Sequence, residues 1–274
     1  MAKLYHFHGG LQLEGHKAES VSQPLRQASL PERLILPLRQ HIGDYNKPLV
    51  EVGNRVLKGD VIAANSSLIC AALHAPTSGT VSAIGNFPVP HPSGQADRCI
   101  VIEVDGEDEA ARADVIDPRQ LSPDEMIQRI CRAGIVGLGG AAFPTSPKIS
   151  RGKAQGIDTL IINGVECEPY ITCDDMLMRS DAAEVIRGCG YLQQILSPEA
   201  TLIAIEDNKP EAIAAMKRAL GDSPLANTEI ITIPTIYPSG GEKPVSYTHL
   251  RAHETMTGIS YAVFCLKRGG GGGG

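Results

Sequence analysis

The chain has 274 residues, 42% of them hydrophobic and 20% charged, with a formal net charge of −6 and no tryptophan. That length accommodates two ordinary domains, and no apolar run approaches the ~18 residues that would cross a bilayer. The acidic balance argues against a nucleic-acid partner, which needs a basic face. Seven cysteines without tight pairing suit a reducing compartment better than a disulfide scaffold. The opening Met1-Ala2-Lys3-Leu4-Tyr5-His6 lacks the apolar stretch of a secretory signal. The expectation is a cytoplasmic enzyme or enzyme subunit.

Residues 1–115 are rich in turn signals, among them Asn46-Lys47-Pro48, Gly53-Asn54, Lys58-Gly59-Asp60, Pro76-Thr77-Ser78-Gly79 and Pro92-Ser93-Gly94. Between them lie strand-like pieces at 49–52, 61–63, 80–84 and 99–104. Short strands at this spacing predict a small all-β domain, a barrel or sandwich. The run Val52-Gly53-Asn54-Arg55-Val56-Leu57-Lys58-Gly59-Asp60-Val61-Ile62-Ala63, followed by His74-Ala75-Pro76-Thr77-Ser78-Gly79-Thr80-Val81, resembles a biotinyl/lipoyl-type barrel-sandwich. Those carriers display a lysine on the intervening hairpin, but no lysine occurs between Gly59 and Asp97 here. The scaffold is therefore read as structural, since fold alone assigns no function.

From Ser122 the texture changes. Ser122-Pro123-Asp124-Glu125 is a capping box with proline at the first helical position, and Met126, Ile127, Ile130 and Cys131 follow at helical spacing. Strands are predicted at 159–162, 201–205 and 229–233, with helices at 175–196 and 210–220. Alternating strands and helices imply a mostly parallel sheet with helices on both faces. Residues 116–244 thus form an α/β domain after the β domain of 1–115. Ligands of such sheets bind beyond the carboxyl ends of the strands.

Three loops carry unusual chemistry. In residues 134–148, Gly137, Gly139 and Gly140 let the backbone approach a ligand and aim amides at anionic oxygens, and Lys148 adds a charge suited to phosphate. A tight structural turn accounts for the glycines equally well, and Phe143 is equally well a core residue. The second loop, Asn163-Gly164-Val165-Glu166-Cys167-Glu168-Pro169, pairs an amide able to donate and accept with two carboxylates two residues apart, expected on one side of an extended segment. The third, Tyr237-Pro238-Ser239-Gly240-Gly241-Glu242-Lys243, joins an aromatic, a glycine turn and a charge. Cys167 and Cys173 lack the C-x2-C-x2-C-x3-C-P spacing of a cluster motif, so no metal ligands are assigned.

Here a resemblance becomes specific. The glycine-rich loop, the Asn-x-x-Glu-x-Glu-Pro segment and the Tyr-x-x-Gly-x-Glu segment resemble, more distantly, the NADH-binding flavoprotein subunit of respiratory complex I. Val136-Gly137-Leu138-Gly139-Gly140-Ala141, residues 163–175 and 237–243 resemble more closely the RnfC family, a component of the bacterial Rnf electron transport complex. So do Leu36-Pro37-Leu38-Arg39-Gln40-His41-Ile42-Gly43 and Val89-Pro90-His91-Pro92-Ser93-Gly94 in the β domain, and the likeness runs over residues 5–244. It implies a barrel-sandwich-like domain followed by a truncated Rossmann-like domain that binds FMN and NADH. Gly137, Gly139, Gly140, Lys148 and Asn163 would hold FMN; Phe143, Glu166, Glu168, Tyr237 and Glu242 would line the NADH side, and Gly240 would give the cofactor access to the backbone. Ala142 stands where the family has glycine; if that position needs a positive φ, the methyl costs about 1 kcal/mol.

The resemblance further implies an electron-entry subunit of an ion-translocating ferredoxin/NAD oxidoreductase, peripheral on the cytoplasmic side of the inner membrane. Its partners would be the other subunits, NADH and ferredoxin-linked carriers, and two 4Fe-4S clusters would lie in a C-terminal part absent here, leaving the fragment inactive alone. The alternative is a non-catalytic nucleotide-binding scaffold that docks subunits of a membrane redox complex. An ordinary NAD dehydrogenase is disfavoured, because no strand–G-x-G-x-x-G–helix unit occurs.

The end of the chain reads differently. Val245-Ser246-Tyr247-Thr248-His249-Leu250-Arg251-Ala252-His253-Glu254-Thr255 resembles the in-frame translation of a sequencing-library adapter. Ile259-Ser260-Tyr261-Ala262-Val263-Phe264-Cys265-Leu266-Lys267 resembles its flow-cell end, and a glycine run closes the chain. Such segments are set aside from fold reasoning, and residues 245–274 are expected to pack against nothing. They carry Arg251, Lys267 and Arg268 against Glu254, a net +2, so the total of −6 becomes −8 without them.

Overall fold

The computed structural model describes residues 9–41, 43–67, 69–91, 93–112, 116–137 and 142–241, and the backbone of 263–266. The chain divides into two compact units: Gln27–Lys148, and Met1–Arg26 together with Ile149–Gly274. The discontinuous unit contributes a short helix, α1 (Lys17–Ser20), before the chain enters the other one.

The unit Gln27–Lys148 is built on β1 (Arg33–Pro37), β2 (Lys47–Pro48), β3 (Arg55–Val56), β4 (Val61–Ala64), β5 (Leu73–His74), β6 (Gly79–Pro88) and β7 (Ala96–Val104). They form two antiparallel sheets, ordered β1-β7-β6-β3 and β2-β4-β5. Leu36, Val56, Val81, Ile100 and Ile102 of the first share one core with Ile62, Ala63 and Leu73 of the second. That is the face-to-face sandwich packing anticipated from the turn spacing. Alternation decides which residues enter it: in β1, Leu34 and Leu36 face the core while Ile35 stays 37% exposed. The strand expected at 49–52 is not one; pairing falls at Lys47–Pro48, and the Leu49 amide instead reaches the Ile62 carbonyl at 2.8 Å as an isolated bond.

The capping box forms as anticipated at the start of α2 (Pro123–Arg132). The Glu125 amide donates to Ser122 Oγ at 3.3 Å, and the Ser122 amide donates to Glu125 Oε2 at 2.8 Å. The helix ends at Gly134, whose φ of +67° suits glycine and where a Cβ would lie 2.3 Å from the Ala72 carbonyl. A helix not anticipated, α3 (Thr145–Gln155), starts inside the stretch expected to be a loop. Pro147 and Gly152 mask it in the sequence, although proline in the first turn removes only an amide that has no helical partner.

In the other unit β8 (Thr159–Gly164), α4 (Cys173–Ser180), α5 (Ala182–Leu196), β9 (Ala200–Glu206), α6 (Pro210–Gly221) and β10 (Thr228–Ile233) follow in order. The three strands are parallel, ordered β10-β9-β8. Period-2 alternation sends Ile203 and Ile205 into the cluster with Met178, Ile186 and Met216 of the helices, and Ile161, Ala204, Ile231 and Ile233 into a cluster of their own. The single helix expected over 175–196 is two. It breaks at Asp181 (φ −127°, ψ 32°), where Ser180 Oγ bonds both the Met176 carbonyl and the Asp181 carboxylate, and so competes with the helix ladder.

The tail does not behave as expected throughout. Val263–Leu266 forms β11, antiparallel to β8 with Val263 opposite Ile162 and Leu266 opposite Thr159, which makes the sheet mixed. The physical reason is general: without it β8 offers a row of unpaired edge amides and carbonyls, and Val-Phe-Cys-Leu is a strong β-former.

Candidate functional site

At the carboxyl end of β8 the chain turns through residues 163–172 before entering α4. Asn163 is 5% exposed and uses both ends of its amide inside the protein: Nδ2 donates to the Gly240 carbonyl at 2.9 Å, and Oδ1 accepts from the Val165 amide at 3.2 Å. The Gly240 amide donates in turn to Cys167 Sγ at 3.4 Å. A Cβ on Gly240 would stand 2.8 Å from the Val165 carbonyl, so the approach of these two loops requires glycine there. The second and third loops singled out in the sequence are thus knitted together. Tyr237 stands at the rim, 38% exposed, its amide and carbonyl bonded to Leu11 at 2.9 and 2.8 Å.

Glu166 is not at an open mouth. It is 3% exposed and caps α4 from outside that helix, with Oε1 accepting from the Asp174 amide at 2.9 Å and the Cys173 thiol at 3.1 Å, and Oε2 from the Asp175 amide at 3.4 Å. A carboxylate against unpaired amides at a helix N-terminus is a favourable placement. Glu168, two residues on, is half-buried, its carboxylate 4.0 Å from the Cys167 thiol. Glu166, Cys173 and Asp174 bring potential ligand atoms within 4.8 Å of one another, but the capping bonds account for that proximity. Burial and the bond to Glu166 push the Cys173 thiol up to about 11, so it is held protonated. Burial, then the Glu166 charge, push the Asp174 carboxyl up to about 6.

Three charged residues that carry no motif in the sequence complete the arrangement. Glu206 ends β9, and Lys209 immediately precedes α6; both are fully buried and paired. Lys209 Nζ also donates to the Glu166 carbonyl at 3.3 Å and to Asn208 Oδ1 at 3.1 Å, while Glu206 Oε1 has no hydrogen-bond partner among the described residues. The third is Lys17, whose Nζ donates to the carbonyls of Glu166, Glu168 and Ile171 at 2.6, 3.0 and 2.7 Å. Burial, then the Lys209 charge, lower its pKa. A signal for the first pair is present: Glu206-Asp207-Asn208-Lys209 follows an apolar strand at its carboxyl end, where such sheets place ligands. Nothing around Lys17 distinguishes it locally.

The glycine-rich loop belongs to the other unit up to Lys148. The Gly137 amide donates to the Phe143 carbonyl at 2.9 Å, and Val136 bridges Pro144, so residues 136–137 pair with 143–144. Ala142 has φ +46°, the left-handed conformation in which its methyl is costly. Lys148 lies in the first turn of α3. Gly139, Gly140 and Glu242 lie outside the described residues.

Comparison with known proteins joins these observations. Residues 5–107 match the RnfC barrel sandwich hybrid domain, and residues 130–263 match the Nuo51 FMN-binding domain. The C subunit of the ion-translocating oxidoreductase complex of Pseudomonas aeruginosa is 51% identical over 244 residues, which is 89% of this chain and 31% of that protein. The Serratia proteamaculans protein of the same name is 49% identical over 245 residues, 89% of this chain and 34% of that one. A solved NAD+-reducing [NiFe]-hydrogenase is similar over 48% of this chain and 25% of that chain, at 25% identity and a TM-score of 0.41, a likeness too loose to argue from. A barrel-sandwich unit is thus followed by an α/β domain of the FMN-binding type. The chain belongs to the RnfC family of ion-translocating oxidoreductase complexes, and spans about a third of the length of the curated relatives it matches.

Proposed function

We propose that this chain is the electron-entry portion of its complex, with a barrel-sandwich unit and a Rossmann-like domain of the kind that binds FMN and accepts NADH. The observation that carries this reading is the FMN-domain match over residues 130–263, with Asn163, Gly240 and Cys167 knotted at the carboxyl end of β8, where ligands of parallel sheets bind. The donor set fits the flavin. Lys148, in the first turn of a helix that follows a glycine-rich loop, combines an ammonium with helix-terminal amides and suits a phosphate. The exposed ring of Tyr237 offers a flat surface to a planar heterocycle, and the half-buried Glu168 carboxylate accepts from ribose hydroxyls or a carboxamide.

When bound, FMN supplies the exchange between a hydride pair and single electrons; the residues of this chain orient and enclose. Gly137, Gly139, Gly140, Lys148 and Asn163 serve the flavin, Asn163 by fixing the two loops to each other. Phe143, Glu168, Tyr237 and Glu242 serve the dinucleotide, Glu166 holds α4 in place beneath it, and Gly240 lets the loops close. Two 4Fe-4S clusters in the part of the subunit beyond this chain would supply the onward path for electrons, toward other subunits and ferredoxin-linked carriers, at the cytoplasmic face of the inner membrane. No helix among the described residues is long and apolar enough to cross a membrane, which accords with a peripheral subunit.

A nucleotide-binding scaffold without turnover is the second reading, favoured by one observation: Asn163 and Glu166 already spend their polar atoms inside the protein. Titration with FMN separates the two. A stoichiometric yellow complex that Lys148→Met weakens about tenfold, the loss of one charge-assisted phosphate contact, supports the electron-entry reading. A chain that binds NADH but no flavin supports the scaffold. Alignments of 244 and 245 residues cover 89% of the chain, a length that fits the reading of 245–274 as translated adapter, while the FMN-domain match runs to residue 263.

A further inference from the structure

The N-terminal segment, residues 9–26, has no buried residue. It nevertheless grips the loop after β8 at several points, all of them polar or aromatic. The Tyr170 amide donates to the Gly15 carbonyl at 2.8 Å, Ser20 Oγ donates to the Tyr170 carbonyl at 2.6 Å, and the His16 and Tyr170 rings stack at 4.8 Å with planes 5° apart. Tyr170 is held at φ +65°, a left-handed conformation that costs a non-glycine residue about 1 kcal/mol. Leu11 pairs with Tyr237 of the third loop. Lys17 sits between these contacts, and all three of its ammonium protons are engaged by the carbonyls of Glu166, Glu168 and Ile171.

A segment that adds nothing to the core but converges on three carbonyls of one loop acts on the shape of that loop. We propose that Lys17 is a positioning residue: from the N-terminal strap it fixes the 166–171 backbone so that the Glu168 carboxylate is presented to a dinucleotide. The proposal rests on the NADH reading above. With the carbonyls on either side of Cys167 drawn to one ammonium, the peptide planes of 166 and 168 cannot rotate independently. Glu166 then stays on the amides of α4 while Glu168 keeps its half-buried position. Lys17 and Lys209 grip the same Glu166 carbonyl, but only Lys17 reaches beyond it to 168 and 171. The dinucleotide side therefore depends on Lys17, and the flavin side does not.

The test uses the 274-residue chain with Lys17→Met, Lys17→Arg and, as a control on the same strap, Arg26→Met. Hydrogen exchange without any ligand is compared with separate titrations of FMN and NADH. Lys17→Met is expected to speed exchange of the 168–175 amides about tenfold while β8 and β9 are unchanged, as for a local opening. It is also expected to weaken NADH about tenfold, with FMN affinity held within about twofold. Lys17→Arg should restore part of both effects, its planar fork meeting diverging carbonyls less well, and Arg26→Met should alter neither. Unchanged exchange at 168–175, or equal loosening of β8 and β9, would overturn the proposal. So would FMN and NADH weakening together. If the exchange pattern appears as expected but the unsubstituted chain takes no NADH, the strap's hold on the loop stands and the dinucleotide reading falls.

Discussion

In the β unit the ion pairs sit half in water: Arg55 with Asp105 and Glu109 at 3.4 and 2.7 Å, and Lys58 with Asp108 at 2.8 Å, the two basic side chains 55% and 47% exposed. In the α/β unit Lys209 and Glu206 are fully buried, and Asp175 is 3% exposed beneath Arg179 at 2.7 Å. Pairs of the first kind contribute little to stability, since solvent screens them and ordering long side chains offsets the attraction. Buried pairs contribute little for a different reason, the cost of desolvation, yet losing one partner strands a charge. The β unit is therefore held by its apolar sandwich, with its charges dispensable. The α/β unit keeps indispensable charges beside the loop that follows β8.

The largest expected effect breaks that comparison if it fails. Lys209→Met, which leaves Glu206 buried without a counter-charge, should cost about 3–5 kcal/mol in urea unfolding. Lys58→Met should cost less than about 1 kcal/mol. Similar losses for the two would show that burial is not the distinguishing variable. The double variant Glu206→Gln/Lys209→Met should recover most of the loss, because no ion then remains to be stranded.

Asp174 sharpens the comparison through pH. Its folded carboxyl titrates near about 6, raised by burial and Glu166 from an ordinary 3.8. The folded state then holds a proton that the unfolded chain releases, so the stability from this group is complete below pH ~4 and is lost as pH rises through ~6. Asp174→Asn should flatten that fall and stabilise the chain at pH 7 by about 1–2 kcal/mol. A native-like pH profile in the variant would assign the titration elsewhere. A smaller effect than that at Asp174 belongs to the β unit and involves no charge: Ala142→Gly, at φ +46°, should raise stability by about 1 kcal/mol in the same unfolding assay. A loss instead would mean that the entropy of the unfolded glycine outweighs the relieved strain.

Much of this architecture is legible in the sequence because its signals are local. The capping box at Ser122 and the apolar runs of β7 and β9 follow from neighbours a few positions apart, whereas Ala142 stands out only through the family resemblance. The failures are of two kinds. The break at Asp181 depends on a hydroxyl competing with the helix ladder, and α3 is hidden by a proline whose missing amide does no harm in a first turn. The other kind is non-local. Glu166 reads as a carboxylate lining the NADH side because its partners, the amides of 174 and 175, become helix-terminal only once α4 has formed. Lys17 reveals itself only through carbonyls about 150 residues away.

That separation has a consequence for how the protein is made. Lys17 emerges from the ribosome early but must wait for Ile171, 154 residues later, on the order of ten seconds at typical elongation rates. The whole of Gln27–Lys148 is synthesised in the interval and has time to close its sandwich first. The first segment to appear is thus among the last to be docked, and a nascent chain carries it as a loose end until the loop it fastens exists.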